Sequence, residues 1–305
     1  MTDAKSIDCL IIGGGPAGLT AAIYLGRFRR SVAVIDKGWS RAEWITLSHN
    51  LPGFRLGVSG PAYLEDARSQ ARQYGAQLQT GVVGTLETDA NGAFLARTAS
   101  ATITAATVLL ATGVTETKPP LHHVADAVKR GVIRTCPICD GYESIGKTVA
   151  VMGTGDHAAA EALFLRTYTD RLTLLLGLDD ASKLSSEKRE LLQAAGVVVR
   201  HVVVGAINLE ESGLTAITVE DGETHHFDKV YSAFGTVSQT QLARSLNAKL
   251  DADDRLFVGE HQETSVSGLY AAGDLVRGLN QICVASGEAA IAATAIHNRL
   301  PKTFA

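Results

Sequence analysis

The sequence is poor in the residues that mark several classes of protein. It contains only 4 cysteines and 7 prolines among 305 residues, so it is neither a disulfide-rich scaffold nor a proline-rich disordered chain. No apolar run reaches the roughly 18 residues of a membrane span, and no secretory leader is recognisable. Lysine and arginine total 28 against 32 acidic residues, without a long run of either sign. We expect a cytoplasmic protein that binds neither nucleic acid nor a membrane surface.

What the sequence does contain is apolar residues and glycine. Hydrophobic residues make up 46% of the chain and glycines number 30, which is typical of a well-packed globular protein. At about 150 residues per domain, the length predicts about two domains.

The first nucleotide-binding pattern lies at the start of the chain. An apolar strand, Ile7–Ile12, runs into a glycine turn and then into a helical stretch. The next strand ends at Asp36, near the spacing of about 20 residues at which an acidic side chain contacts a ribose. The glycines let the backbone approach a pyrophosphate at the helix N-terminus. The predicted cofactor contacts here are Gly13, Gly15, Pro16, Ala17, Gly18 and Asp36.

The same strand, turn and helix pattern recurs after a strand at 148–152. Its predicted second nucleotide site comprises Gly153, Gly155, Asp156 and His157. Two further apolar strands resemble those of the first nucleotide-binding unit. Ala111-Thr112-Gly113 follows one of them, and Gly273-Asp274 follows the other. The sequence therefore predicts an α/β fold with two Rossmann-like dinucleotide-binding domains, the second inserted into the first. Their predicted bounds are 1–117 with 246–305, and 118–245, with hinges at Pro119-Pro120 and 235–239.

Cys136 and Cys139 are the residues that the sequence indicates for redox chemistry. A Cys-x-x-Cys pair can cycle between a dithiol and a disulfide. Zinc is a rival interpretation, but it needs four ligands, and the other two thiols, Cys9 and Cys283, occur singly, so we expect no metal site. An inert pair of core cysteines is the second alternative. Cys9 and Cys283 themselves are expected to be small buried side chains.

Asp140 follows the second sulfur directly. It is placed to supply a proton to the thiolate that is expelled when the disulfide opens. A turn-capping aspartate is the alternative interpretation.

Taken together, these motifs resemble the low-molecular-weight thioredoxin reductases along nearly the whole chain. The similarity includes both nucleotide units, Cys136-Pro137-Ile138-Cys139-Asp140 between them, Ala111-Thr112-Gly113, Gly273-Asp274 and a loop with Asn50-Leu51-Pro52-Gly53-Phe54 that is similar to a flavin-contacting loop of that family.

The resemblance implies FAD in the first domain. It implies that Asp274 contacts the ribityl or pyrophosphate part and that Gln281 and Ile282 lie at the flavin ring. Cys139 would then be the sulfur that faces the flavin, Cys136 the sulfur that meets an external disulfide, and Asp140 the acid. The resemblance also implies a homodimer whose domains rotate, with a thioredoxin-like protein or a small dithiol or disulfide as partner.

One departure from the family bears on the electron donor. NADPH-using members have a His-Arg-Arg run after the strand that follows the second glycine motif, whereas this chain has Gly177-Leu178-Asp179-Asp180. Without a basic fork for the 2′-phosphate, we do not expect efficient use of NADPH. The resemblance to reductase-like flavoproteins that bypass pyridine nucleotides extends this expectation to NADH. The pattern resembles the branch that includes oxygen-dependent dithiol oxidases. Two other hypotheses are a non-catalytic flavin-binding protein and a ferredoxin- or flavodoxin-linked flavoenzyme.

Overall fold

The chain divides into two compact units, each with its own sheet. The computed structural model describes residues 6–117, 127–128, 130–131, 133–177, 183–209, 215–219 and 222–302. The first unit comprises Met1–Glu43, Ser59–Thr115 and Val237–Ala305. The second comprises Trp44–Val58 and Glu116–Thr236.

The elements alternate between strands and helices. The strands are β1 (Ile7–Ile12), β2 (Val32–Asp36), β3 (Gln77–Thr80), β4 (Thr85–Thr88), β5 (Phe94–Arg97), β6 (Thr102–Leu110), β7 (Val114–Glu116), β8 (Ile133–Arg134), β9 (Val149–Gly153), β10 (Leu172–Gly177), β11 (Val198–Leu209), β12 (Thr215–Val219), β13 (Thr224–Phe227), β14 (Lys229–Ala233), β15 (Thr236–Ser238) and β16 (Leu269–Ala271). The helices are α1 (Pro16–Arg27), α2 (Gly60–Gln73), α3 (Pro137–Asp140), α4 (Gly155–Leu165), α5 (Ser186–Ala194), α6 (Gln241–Ser245) and α7 (Ile282–Arg299).

The sheet of the first unit has the order β3-β2-β1-β6-β5-β4, and β16 also pairs with β6. Strands β3, β2, β1, β6 and β16 are parallel, while β5 and β4 add an antiparallel hairpin. The central strand β1 is apolar almost throughout because a parallel strand is covered on both faces. The carboxyl ends of β1, β2 and β6 therefore meet at one edge, which is where a doubly wound sheet binds its ligand.

Small residues bring two helices of the first unit close together. Ala17, Ala21 and Ala22 of α1 share a buried cluster with several alanines of α7. Short side chains allow the two backbones to approach, so the start of α7 lies beside the glycine turn that precedes α1.

The sheet of the second unit has the order β13-β12-β11-β10-β9-β14-β8. Its β11, β10, β9, β14 and β8 are parallel, and β12 and β13 form an antiparallel extension. Helix α4 packs on β9 and β10 through buried alanines and leucines.

Three segments join a different unit from the one implied by the predicted bounds, and the shortest of them, residues 116–117, belongs to the second unit. Residues 237–245 belong to the first unit because Gln239 N–H donates to Gly113 O at 3.0 Å. Residues 44–58 belong to the second unit, where Arg134 Nη1 donates to Thr46 Oγ1 at 2.6 Å. The functions assigned to the two domains stay predictions. The predicted hinge at Pro119-Pro120 and residues 178–180 lie outside the described residues.

The sequence pattern predicts helices from about residues 19, 159 and 286, but all three begin earlier. Helix α1 starts at Pro16, because the fixed φ of proline suits the first helical position, where no N–H bond is needed. Helix α4 likewise starts at Gly155, inside the glycine motif. None of the helices in the described part of the chain is long and apolar enough to cross a membrane.

Candidate functional site: a glycine cradle and a disulfide

The turn between β1 and α1 and the start of α1 are packed too tightly for a side chain at Gly13 or at Gly18. Gly13 has a φ of +114°, and a Cβ there would overlap the Ala111 carbonyl at the end of β6. A Cβ on Gly18 would overlap the Gly13 carbonyl oxygen. Two of the predicted glycines are thus required by the close approach of β1, α1 and β6.

Asp36 lies at the end of β2, directly over this turn. A Cβ on Gly14 would come within 2.7 Å of the Asp36 carboxyl, so the carboxylate borders the backbone of the turn. On the other side, Thr112 Oγ1 donates to Gln239 O at 2.7 Å and fixes the Ala111-Thr112-Gly113 segment. The structure therefore brings the predicted glycines, Asp36 and the end of β6 together.

Gly273 and Asp274 complete the same edge. A Cβ on Gly273 would lie 3.0 Å from Ala17 Cβ, and the Gly273 N–H donates to Glu288 Oε2 at 2.7 Å. Asp274 Oδ2 accepts from Arg41 Nη1 at 3.0 Å. Burial raises the pKa of the Glu288 carboxyl. The hydrogen bond from the Gly273 N–H lowers this pKa, whereas the negative charge of Asp274 raises it further. Sequence reasoning missed Arg41 and Glu288, because only the fold brings them to Asp274 and Gly273.

Gly13, Gly15, Gly18, Asp36 and Gly273 form a glycine cradle at this edge of the first sheet. The cradle fits the FAD that the resemblance implies. The N-cap of α1, Gly15, provides no side-chain cap, so backbone N–H groups of the first turn are left to bind an anion. That turn contains no acidic side chain. Gln281 is the N-cap of α7 and Ile282 its first residue. Next to them, Asn280 Oδ1 is buried without a hydrogen-bond partner among the described residues, as expected of an acceptor that awaits a ligand.

A matched pair of glycine substitutions tests this cradle. Gly18→Ala forces a Cβ onto the Gly13 carbonyl, and such overpacking costs about 1–3 kcal/mol or more. We expect a lower Tm and loss of FAD on gel filtration. The control is Gly287→Ala in α7, where a Cβ meets nothing within 4 Å, so Tm should be unchanged or rise by the equivalent of about 0.5–1 kcal/mol. Equal behaviour of the two variants would contradict the tight-turn interpretation.

The two cysteines of the predicted redox pair form a disulfide in the second unit. Cys136 is the N-cap of the single-turn helix α3, and Pro137 is its first residue. The turn places the two Cα atoms 5.3 Å apart, within the range that a disulfide requires. Both cysteines are half-buried. Asn50, predicted to contact the cofactor, lies in the same unit, and its Nδ2 donates to Ile138 O at 3.3 Å.

Asp140 ends α3 and is held by two neighbouring strands. Its Oδ1 accepts from the Tyr231 hydroxyl at 2.9 Å, and its Oδ2 lies 3.3 Å from Arg134 Nη1. The residue is only 8% exposed, and burial raises the pKa of its carboxyl, opposed by Arg134 and by the Tyr231 hydroxyl. An acid with a raised pKa keeps its proton to higher pH than an exposed aspartate does. Tyr231 and Arg134 were not predicted; a single aromatic residue in the short, mostly buried strand β14 was the available signal.

The second glycine turn is also tightly packed, but its side-chain charge differs from that of the first. A Cβ on Gly153 would overlap the Ala233 carbonyl, and Gly155 has a φ of +49° and packs against the Lys183 carbonyl. Asp156 stands in the first turn of α4, where its Oδ1 accepts from the Ser185 N–H at 2.7 Å. A negative charge in the first turn opposes the attraction of this helix N-terminus for a phosphate.

His157 follows Asp156 and pairs within its own helix. Its Nε2 lies 3.3 Å from Glu161 Oε1, and this hydrogen bond raises the pKa of the imidazole against the effect of burial. Protonated His157 is balanced by Glu161, so with Asp156 the start of α4 has no net positive side-chain charge.

The two remaining cysteines differ in their surroundings. Cys9 is buried in β1, and desolvation raises the pKa of its thiol to about 12, so it is not a nucleophile near neutral pH. Cys283 is exposed at the start of α7, and the prediction that it is buried was wrong, because Ala285 and Ala289 lie on the buried face of the helix and Cys283 lies on the opposite face. Among the described residues, no group of three or more His, Cys, Asp or Glu is arranged to hold a metal ion.

The fold and these sites define a flavin-dependent disulfide oxidoreductase. The sequence profile of the pyridine nucleotide-disulphide oxidoreductases matches residues 7–289, and the chain belongs to that family. This confirms the predicted α/β class with two dinucleotide-binding folds, and it places the chain among enzymes, against the non-catalytic hypothesis.

Individual relatives point to the thioredoxin reductase-like members of the family. The chain is 30% identical over 296 residues to the thioredoxin reductase of Treponema pallidum, covering 94% of this chain and 95% of that protein. It is 32% identical over 296 residues to the bifunctional thioredoxin reductase/thioredoxin of Mycobacterium leprae, covering 94% of this chain but only 64% of that protein. The crystal structure of the Streptococcus pyogenes thioredoxin reductase matches with a TM-score of 0.87 at 25% identity, over 97% of this chain and 98% of that chain.

Proposed function

We propose that this enzyme passes electrons between FAD and an external dithiol or disulfide through Cys136 and Cys139, with little use of NADPH or NADH. The observation that carries the proposal is the Cys136–Cys139 disulfide next to a buried acid, Asp140, in a chain that also has a glycine cradle suited to FAD. When bound, FAD supplies a two-electron acceptor and donor.

The thiol chemistry is a pair of exchange reactions. A substrate thiolate attacks Cys136 Sγ, the bond between Cys136 and Cys139 breaks, and Cys139 leaves as a thiolate that takes a proton from Asp140. The second substrate thiolate then attacks the substrate sulfur of the mixed disulfide and releases Cys136. The substrate loses two electrons and becomes a disulfide, while the cysteine pair gains them and becomes a dithiol. The reverse sequence reduces an external disulfide.

The poor use of pyridine nucleotides follows from charge at the second turn. NADPH carries a 2′-phosphate and a pyrophosphate, and each charged hydrogen bond to a phosphate is worth about 1.5–3 kcal/mol. Residues 177–180 supply no basic side chain, and Asp156 adds a carboxylate at the start of α4. The loss of two such contacts lowers affinity by about 10² to 10⁴-fold.

The resemblance also guides our proposal for partners and assembly. We propose a cytoplasmic homodimer that acts on a thioredoxin-like protein or on a small dithiol or disulfide. A second candidate, an oxygen-dependent dithiol oxidase that closes a disulfide in a small molecule, is favoured by the same lack of basic residues after β10, since such an enzyme needs no pyridine nucleotide.

Anaerobic stopped-flow mixing separates the electron donors. We expect dithiothreitol to bleach the flavin of the FAD-loaded enzyme, whereas NADPH at equal concentration reacts at least about 10²-fold more slowly, for the affinity reason above. NADH has no 2′-phosphate, and we expect it to react more slowly than the dithiol because Asp156 adds a negative charge where its pyrophosphate would bind. Rapid bleaching by NADPH would contradict our proposal on the donor, and failure of both donors would contradict the function as a whole. Oxygen consumption with the dithiol then distinguishes the oxidase from the reductase.

A further inference from the structure

The Asp140 carboxyl in the second unit belongs to a network of hydrogen bonds with two hydroxyl groups. Tyr231 is fully buried in β14, and its hydroxyl lies 2.9 Å from Asp140 Oδ1, 3.1 Å from Asp140 O and 3.0 Å from Ser144 Oγ. Ser144, in the 3-10 helix Tyr142–Ser144, is also fully buried. Each hydroxyl can donate one hydrogen bond and accept others.

A buried acid that gains and loses a proton during turnover needs partners in both states. A buried polar group without a partner costs about 1–3 kcal/mol, and more when it is charged. A fixed donor satisfies only the carboxylate, and a fixed acceptor satisfies only the protonated acid. A hydroxyl that rotates serves both.

We propose that Tyr231 is a positioning residue whose hydroxyl keeps the Asp140 carboxyl paired in both protonation states, an inference that rests on the proposed proton transfer by Asp140. With Asp140 ionised, Tyr231 donates to Oδ1 and accepts from the Ser144 hydroxyl. With Asp140 protonated, the acid donates to the Tyr231 oxygen, and Tyr231 turns its own hydrogen to Ser144 Oγ or to the Asp140 carbonyl. All these contacts lie within hydrogen-bond distance without movement of the backbone.

Charged neighbours act on Asp140 from three elements. Arg134 in β8 and Lys229 in β14 lower the pKa of its carboxyl, and Glu143 in the 3-10 helix raises it. Lys229 is itself anchored, with its Nζ donating to Glu143 O at 2.7 Å. None of these charges changes when Tyr231 is replaced by phenylalanine, so this substitution isolates the hydroxyl.

Infrared spectra of the FAD-loaded oxidised enzyme across pH test the inference without turnover. The band of the protonated Asp140 carboxyl is assigned by its loss in Asp140→Asn. Tyr231 pairs with both forms, but its bond to the charged carboxylate is worth about 1.5–3 kcal/mol against about 0.5–1.5 kcal/mol for the bond to the neutral acid. Tyr231→Phe therefore costs the ionised form more, and it should raise the midpoint of this band by about one pH unit. Ser144→Ala leaves the Tyr231 hydroxyl in place and removes only the hydrogen bond between Ser144 and Tyr231. The midpoint of the Asp140 band should therefore rise by a smaller amount in this variant. Tyr270→Phe, a buried phenol of the first unit, should leave it unchanged.

The outcomes separate this inference from the proposed function. An unchanged midpoint in a folded Tyr231→Phe enzyme overturns the role of Tyr231, even if the wild-type enzyme oxidises dithiols as proposed. Should Tyr231→Phe fail to retain FAD, Ser144→Ala decides: a rise supports the hydroxyl network, and no rise overturns it.

Discussion

Replacing either Cys136 or Cys139 by serine will abolish dithiol-driven turnover, by more than about 10³-fold. A serine hydroxyl cannot form a disulfide, so the pair can neither accept nor return two electrons. The two variants should differ in what they trap. Cys139→Ser retains Cys136, which can form a mixed disulfide with a substrate disulfide that no neighbouring thiol resolves, and mass spectrometry should detect this adduct. Cys136→Ser should give little of it, because Cys136 is the sulfur assigned to the external partner.

The control for these variants is Cys283, whose thiol is exposed. Cys283 is free and lies in the first unit, so Cys283→Ser should bind FAD and turn over dithiol at close to the wild-type rate. Turnover retained in Cys136→Ser or Cys139→Ser would contradict the thiol mechanism. Turnover lost equally in Cys283→Ser would show that thiol loss alone does not identify the redox pair.

The second large effect should come from restoring charge at the pyridine nucleotide turn. In the triple variant Asp156→Ser, Asp179→Arg, Asp180→Arg, the acid leaves the first turn of α4 and two guanidinium groups follow β10. Serine keeps a hydroxyl that can accept from the Ser185 N–H. Two charged hydrogen bonds to a 2′-phosphate should improve kcat/KM for NADPH by about 10² to 10⁴-fold.

NADH is the matched control for this gain. It lacks the 2′-phosphate, so the triple variant should prefer NADPH over NADH by most of the improvement. An equal gain with both nucleotides would mean that removal of the Asp156 carboxylate improves binding of the pyrophosphate, which the two nucleotides share. No gain with either nucleotide would mean that charge is not what limits donor use, and it would contradict our account of the second turn.

The features predicted best from the sequence depend on neighbouring residues. The glycine turn at Gly13 and Gly18 is encoded within one strand, turn and helix, so its spacing, together with that context and Asp36, predicts a nucleotide site. The Cys136–Cys139 ring is equally local. Parallel β1 and β9 are recognisable because burial on both faces requires continuous apolar runs.

The features that escaped prediction depend on contacts between distant segments. Arg41 meets Asp274, and Tyr231 meets Asp140, only after the sheets have formed. No periodicity connects such residues in the sequence. The early start of α7 escaped for another reason: small and β-branched residues near Cys283 have no strong helix-start signal, and packing on α1 decides the boundary.

Counting electrons tests the central claim most directly. In an anaerobic reductive titration of the FAD-loaded enzyme, a cysteine pair in redox contact with the flavin should bring the uptake to about four electrons per FAD, two for each couple. The Cys136→Ser/Cys139→Ser double variant should take up about two, and a dithiol should no longer bleach its flavin. An uptake of about two electrons in the wild-type enzyme would mean that the sulfurs and the flavin do not exchange electrons, and the account would be wrong.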